Sequence, residues 1–234
     1  MEHLPEYVGL LIGLTAVLAI YLFWRSAYYS RSFIWIAVVW VAIQTILGLS
    51  GFYHLSIDTP PNMPMLVAPP TLLILGLFLT GKGRIFIDRL NTARLTLVHS
   101  VAIFVELVFY LLFLYRYVPK IMTFEGFNFD LLSGITAPLV YYYGFVRMKL
   151  NRPVLIAWNL ICLLLVINAS AFAVLSLPPG FRHIGAEQPD LALGVFPFTL
   201  VPAVIVPLVL FSHLAALRHL IIKNNNYKKS WKTI

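Results

Sequence analysis

The chain has 234 residues, of which 60% are hydrophobic and only 11% charged, and its formal net charge is +8. A soluble domain carries roughly 25% charged residues; with a mean hydropathy of +0.87, a soluble globular enzyme, a disordered chain and a nucleic-acid-binding domain are all excluded despite the basic balance. The composition is that of an all-α, polytopic membrane protein, a single transmembrane domain over residues 1–234. The single cysteine, Cys162, sits in an apolar run and rules out an intramolecular disulfide or a cysteine-based metal site. The start, Met1 to Glu6, is acidic and lacks the basic flank of a signal peptide, so the first apolar run is expected to be a retained helix.

Seven apolar runs follow, at 7–24, 33–53, 65–80, 95–115, 130–146, 154–176 and 194–216. Each reads as a transmembrane helix, because a span needs roughly 17–25 mostly apolar residues and a helix satisfies its own backbone hydrogen bonds. With seven spans, alternate loops share a side. Arg25, Arg31, Lys82, Arg84, Arg89, Arg94, Arg147, Lys149, Arg152, Arg218 and the lysines at 223, 228, 229 and 232 fall on one side, and only Arg116, Lys120 and Arg182 on the other. The basic side is expected to be cytoplasmic. This places the chain in a cell membrane, of the bacterial inner-membrane kind, with its N-terminus outside and C-terminus inside. Arg84 to Arg94 reads as a short basic amphipathic segment on the inner membrane surface, and 217–234 as a basic cytoplasmic tail against anionic lipid.

The first and fifth runs share a string, Leu10-Leu11-Ile12-Gly13-Leu14-Thr15-Ala16-Val17-Leu18 against Leu131-Leu132-Ser133-Gly134-Ile135-Thr136-Ala137-Pro138-Leu139. Trp40 lies 20 residues before Pro60-Pro61, as Trp158 does before Pro178-Pro179. Pro69, Thr71 and Leu72 correspond to Pro197, Thr199 and Leu200. Three matches in order predict a parallel 3+1+3 repeat, with units 7–80 and 130–216 and a linker helix at 95–115 that is free to be peripheral. That architecture resembles the three-plus-one-plus-three small-solute carriers, including the sugar-carrier family, although no Pro here is followed by the Gln of that family's signature. The seven-helix plan is also similar to that of rhodopsins and receptors, but every lysine lies in a loop or the tail, which excludes a retinal Schiff base. The stretches Asn128 to Pro138 and Pro207 to Leu214 resemble an uncharacterised family of bacterial seven-helix integral membrane proteins; the resemblance implies the fold and brings neither an activity nor site residues.

Ionisable groups inside a membrane are costly and mark interiors or cavities. Glu106 is the acidic residue within a span, and it reads either as a proton-coupling or cation-binding carboxyl facing the interior or as a neutral, hydrogen-bonded side chain. Gln44 and Asn168 fall near its depth, and Tyr142, within Tyr141-Tyr142-Tyr143, is a candidate cavity-lining group or a belt residue. His99 is five residues from Arg94 and His213 five from Arg218, which places both near one depth. They read as hydrogen-bonded interfacial histidines or as a pair of ligands to a metal ion or haem b. His213 and His219 are six apart, not four, which argues against a zinc pair and against ceramidase-like hydrolases. Ser100, His213 and Asp130 cannot form a hydrolase triad, because Asp130 belongs to the opposite surface. Prolines at 69, 70, 138, 197, 202 and 207 break three spans, as in carriers whose broken helices line a path.

These features point to a bundle that binds or moves a small, partly apolar solute without a cofactor, and they assign it no catalytic residues. The competing classes are a sensor or receptor-like protein signalling through a membrane partner, and a haem- or metal-binding redox component. Expected partners are the lipid bilayer, the solute, and a second copy or another membrane protein; no nucleic acid is expected.

Overall fold

A computed structural model describes residues 4–54, 62–177 and 190–222, and every regular element among them is helical. The helices are α1 Glu6–Ser26, α2 Arg31–Leu49, α3 Pro64–Leu79, α4 Gly81–Arg89, α5 Thr92–Leu114, α6 Leu131–Val146, α7 Arg152–Leu175 and α8 Val201–Ile222. Among the described residues α1, α2, α5, α7 and α8 are long and apolar enough to cross a membrane. α3 and α4 meet at a bend of 94° and make one broken span or a span and a surface helix, while α6 is apolar but shorter. Of the basic amphipathic segment expected at Arg84 to Arg94, residues 84–89 lie in a separate helix turned away from α3, whereas Thr92 to Arg94 already open α5, because Asn91 caps a new helix there.

Polar residues start the helices at one end of the bundle. Ser30 Oγ accepts from Phe33 N, Thr80 Oγ1 from Gly83 N, Asn91 Oδ1 from Arg94 N and Asn151 Oδ1 from Val154 N, at 3.0–3.3 Å. Each satisfies one of the donors that a helix start leaves open. α1, α3, α6 and α8 start at the opposite end and have no side-chain cap. The capped end is also the basic end. There Arg218 pairs with Asp88 at 3.0 Å, and Arg94 donates to Arg25 O at 2.9 Å. Arg152 donates to Leu220 O and Ile221 O, the open carbonyls at the end of α8. His219 donates from Nε2 to Ile87 O at 2.8 Å, since a carbonyl only accepts; its Nδ1 then accepts from Thr92 Oγ1 at 2.7 Å. One turn of α8 thereby fastens α4, α5 and α7.

α5 and α8 form the centre. Half of the apolar window of α5 and 61% of that of α8 are buried, against 22% for α7 and 11% for α2. α5 packs against α1, α6 and α8, and α8 also against α7, α3 and α1. The presumptive linker helix is therefore central, not peripheral. Phe23 of α1 stacks on Phe211 of α8 at 5.3 Å and meets Phe33 of α2 at a tilt at 4.7 Å. Trp35, Ile46 and Leu49 of α2 are exposed, as the lipid-facing side of a membrane helix should be.

α5 tightens to a 3-10 turn at His99–Val101 without any proline, but in α6 and α8 prolines accompany the departures from regular helix. The last span was expected at 194–216 but runs from Val201 to Ile222. Pro197 and Pro202 cannot donate to a helical ladder, so residues 192–199 turn instead. α8 then opens with a π turn, Val201–Ile205, with Pro202 in its first turn. Its other end extends past Arg218 because Arg218 and His219 are bonded inside the bundle, so residues 217–222 belong to a helix and not to a tail. Residues 223–234 lie outside the described residues, as do Pro60-Pro61 and Pro178-Pro179 of the expected repeat. α6 contains Pro138 and ends in a second π turn, Tyr141–Val146.

The residues aligned by the repeat have different surroundings. A Cβ on Gly134 would meet Ile103 N of α5 at 2.8 Å, whereas one on Gly13 would meet nothing within 4 Å. Trp40 donates to Ala203 O of α8 at 2.8 Å, and Trp158 to Thr136 Oγ1 of α6 at 2.9 Å. The glycines therefore separate by test. Gly134→Ala should lower thermal stability in detergent by about 1–3 kcal/mol, because the new methyl meets helix backbone. Gly13→Ala should leave it unchanged or raise it by up to about 1 kcal/mol. Equal responses would contradict the close α5–α6 contact.

Candidate functional site

A cavity of about 460 Å³ lies among α1, α2, α3, α4 and α8. Its walls are Ile20 of α1, Ile36, Ala37 and Trp40 of α2, Pro69, Pro70, Leu73 and Leu77 of α3, Phe86 of α4, and Pro207, Leu208 and Phe211 of α8. Ser30 and Ser32 stand at its basic end. The volume falls in the range of small-molecule sites, about 300–1,000 Å³. Prolines from two helices, Pro69 and Pro70 of α3 and Pro207 of α8, line it.

The same prolines explain how α2 is held. In an α-helical ladder Ala203 O is answered by the N–H four residues on, and that residue is Pro207, which has none. Trp40 Nε1 supplies the donor instead, at 2.8 Å. Trp40 is the one lining residue with a polar side-chain atom besides Ser30 and Ser32, and its donor is thus already engaged.

His99 and His213 are brought together. Both are fully buried, and their rings stack with centroids 3.6 Å apart and planes 13° from parallel. Trp158 meets His99 edge-on at 5.6 Å and His213 at 5.9 Å. His213 Nδ1 donates to Asn159 Oδ1 at 3.1 Å, and Asn159 Nδ2 donates to Leu155 O at 2.9 Å. Both ring nitrogens of His99, and Nε2 of His213, find no hydrogen-bond partner among the described residues. Parallel rings at this spacing leave no gap for a porphyrin and do not converge their lone pairs on one point. No group of three or more His, Cys, Asp or Glu able to hold a metal ion occurs among the described residues.

Glu106 is 2% exposed and faces the interior, as expected. It accepts from Asn128 Nδ2, which also donates to Met122 O at 3.0 Å. Asn128 Oδ1 accepts from Asp130 N at 3.2 Å, and Asp130 Oδ1 from Ser133 Oγ at 2.6 Å. The cluster ties α5 to the start of α6 through the loop between them. It does not line the cavity. Gln44 is buried but accepts from Tyr53 OH at 2.9 Å, and Asn168 is half-buried and donates to Phe127 O at 2.8 Å. The three polar residues expected in one layer therefore bond to three separate partners. Tyr142 is 40% exposed, its OH accepting from Arg147 Nε at 2.7 Å, and it does not line this cavity. Sequence reasoning missed Asn128 as the partner of Glu106. The signal available was its Asn-x-Asp spacing, which favours a turn whose amide side chain bonds its own backbone two residues on.

One buried carboxyl lies in a loop outside the helices. Asp190 Oδ1 accepts from Ala192 N at 2.9 Å and Leu193 N at 3.2 Å, and its own N–H donates to Ser176 O at 2.9 Å. Leu191 N donates to Tyr117 O at 3.0 Å, so this loop bridges the ends of α5 and α7. Burial pushes the Asp190 carboxyl up to about 7, against the two backbone donors that favour its charge.

Comparison of the chain with protein-family models, curated proteins and solved structures finds no match in any of the three.

Two outcomes follow from these contacts. Trp40→Phe should cost about 1–3 kcal/mol of stability by leaving Ala203 O unanswered. In a Pro207→Ala background, where the helix supplies its own donor, the same change should cost much less, and a double-mutant cycle measures the difference. Asp190 titrates the other way from an ordinary surface carboxyl. Its folded value lies above its unfolded one, so the native state holds the proton more tightly and stability falls as pH rises from about 4 to about 7. The slope from this group is at most about 1.4 kcal/mol per pH unit. Asp190→Asn should flatten that stretch of the stability–pH curve, and an unchanged curve would show that the carboxyl does not titrate there.

Proposed function

We propose that this is an integral membrane protein whose seven segments cross the bilayer, namely the five long helices, α6 and the bent α3–α4 pair, and that it binds or carries a small, partly apolar solute. The observation that carries the reading is the cavity of about 460 Å³ between α2, α3 and α8, walled almost wholly by apolar side chains. Its occupant would replace lipid contacts with protein contacts and touch helices broken by Pro69, Pro70 and Pro207, which are the natural points of flexure. The orientation, N-terminus outside and basic end cytoplasmic, is supported by the 14 of 17 basic residues that alternate loops assign to one side. The membership suggested by the stretches at 128–138 and 207–214, a bacterial seven-helix integral membrane family, is part of the same proposal. The parallel repeat is a separate one, resting on the three sequence correspondences, and the solute site does not depend on it.

A diazirine-bearing long-chain alcohol tests the reading. With the full chain in nanodiscs, photolabelling should be saturable and should map to peptides of α2, α3 and α8 that line the cavity. Ala37→Phe, which fills the cavity from its wall, should suppress that labelling at least about tenfold while leaving exposed positions such as Leu164 of α7 labelled as before. Labelling confined to the exposed positions, and indifferent to Ala37→Phe, would overturn it. Uptake of the same class of solute by proteoliposomes then separates carrying from binding.

A further inference from the structure

We infer that the ligand of this cavity is an anionic single-chain amphiphile, one acyl chain bearing an acidic head, seated with its head at the basic end. The inference rests on the solute-binding reading above and names the ligand class.

The cavity has polarity at one end only. Ser30 and Ser32 stand at the start of α2, and the lining then runs along α2 to Trp40, a rise of about 15 Å. Trp40 Nε1 is spent on Ala203 O, so the deep part offers no donor to an occupant. A polar group buried there would lose its hydrogen bonds to water without replacement. The apolar part of a ligand therefore belongs in the deep part, and its polar part at the serines. A slot of this volume, at the lower end of small-molecule sites, takes one chain.

The charge at that end is positive. Arg31 lies between the two serines and is exposed. On α4, Lys82 and Arg89 stand four residues before and three after Phe86, which lines the cavity, so the three share one helix face; both basic residues are exposed. Asp88, the acidic residue of α4, is engaged by Arg218 at 3.0 Å. Three exposed cations thus stand beside residues that line the cavity, Arg31 next to Ser30 and Ser32, and Lys82 and Arg89 on the helix face of Phe86, and they favour a negative charge on a head group at that end. Basic residues at a membrane surface each favour an anionic partner to a degree that two together amount to roughly a tenfold or greater preference. α2 buries little of its surface in the bundle and packs chiefly on α1, so the cavity wall it forms is the one that faces lipid, and a chain already in the bilayer reaches the slot sideways.

The test uses the full chain in phosphatidylcholine nanodiscs at pH 8, with a diazirine analogue of palmitic acid as the photolabel. Unlabelled palmitate, hexadecanol and two-chain phosphatidylglycerol compete for it. Palmitate should compete about tenfold better than hexadecanol and than phosphatidylglycerol. The double variant Lys82→Gln, Arg89→Gln removes two exposed charges without touching the core; it should bring palmitate to within about twofold of hexadecanol and leave hexadecanol unchanged. Equal competition by palmitate and hexadecanol in the unaltered protein would overturn the acidic head and leave solute binding standing. Phosphatidylglycerol competing as well as palmitate would overturn the single chain. Failure of both the palmitate photolabel and the long-chain alcohol photolabel to mark the cavity would overturn this inference and the solute-binding reading together.

Discussion

In a medium without water, a backbone carbonyl deprived of its helical donor has to find another within the protein. Pro207 creates that need at Ala203, and Trp40 meets it across the cavity at 2.8 Å. Much else is arranged around this bond. It holds α2, the least buried of the long helices, to α8, the most buried, and so defines one wall of the slot. It also removes the last donor from the slot's interior, which leaves the cavity apolar along its depth and polar only at Ser30 and Ser32. A proline that looks like a defect in α8 is thus what fixes the position of a different helix.

The bundle separates its polar work by depth. At the basic end, caps and arginines satisfy helix termini, and Arg218, His219 and Arg152 gather α4, α5 and α7 around one turn of α8. In the middle the stacked histidines, Asn159 and Trp158 join α5, α7 and α8. Towards the other end Glu106, Asn128, Asp130 and Ser133 join α5 to α6. Every one of these clusters includes α5 or α8. Apolar packing cannot discriminate between helix and lipid, because lipid tails are equally apolar; hydrogen-bonded side chains and close contacts such as Gly134 on Ile103 supply the specificity.

The apolar runs could be read from the chain because hydropathy over some twenty residues is a strong signal, and six of the seven runs coincide closely with helices. The common depth of His99 and His213 was legible from their equal distance to Arg94 and Arg218, but the stacking of their rings was not. What failed was phase and termination. Tyr142 sits in a π turn, which adds a residue to the turn and rotates later side chains away from the face that a 3.6-residue period assigns them. The start of α8 was misplaced because apolarity continues through Leu193 to Thr199 while Pro197 and Pro202 deny the helix its donors. The partner of Glu106 was hidden in a loop, where no periodicity operates. The central place of α5 was hidden because a helix surrounded by protein and one surrounded by lipid have similar compositions.

The order of the helices along the chain has a consequence for how the protein is made. α8 buries more of itself than any other long helix, yet it is synthesised after all of them. Until it arrives, Asn159 lacks His213, Thr92 lacks His219, Asp88 lacks Arg218, and the indole of Trp40 has no carbonyl to reach. Each of these four pairs closes only once α8 is in place, so these polar contacts, which fasten α2, α4, α5 and α7 to the bundle, all wait on one helix that follows them in the chain.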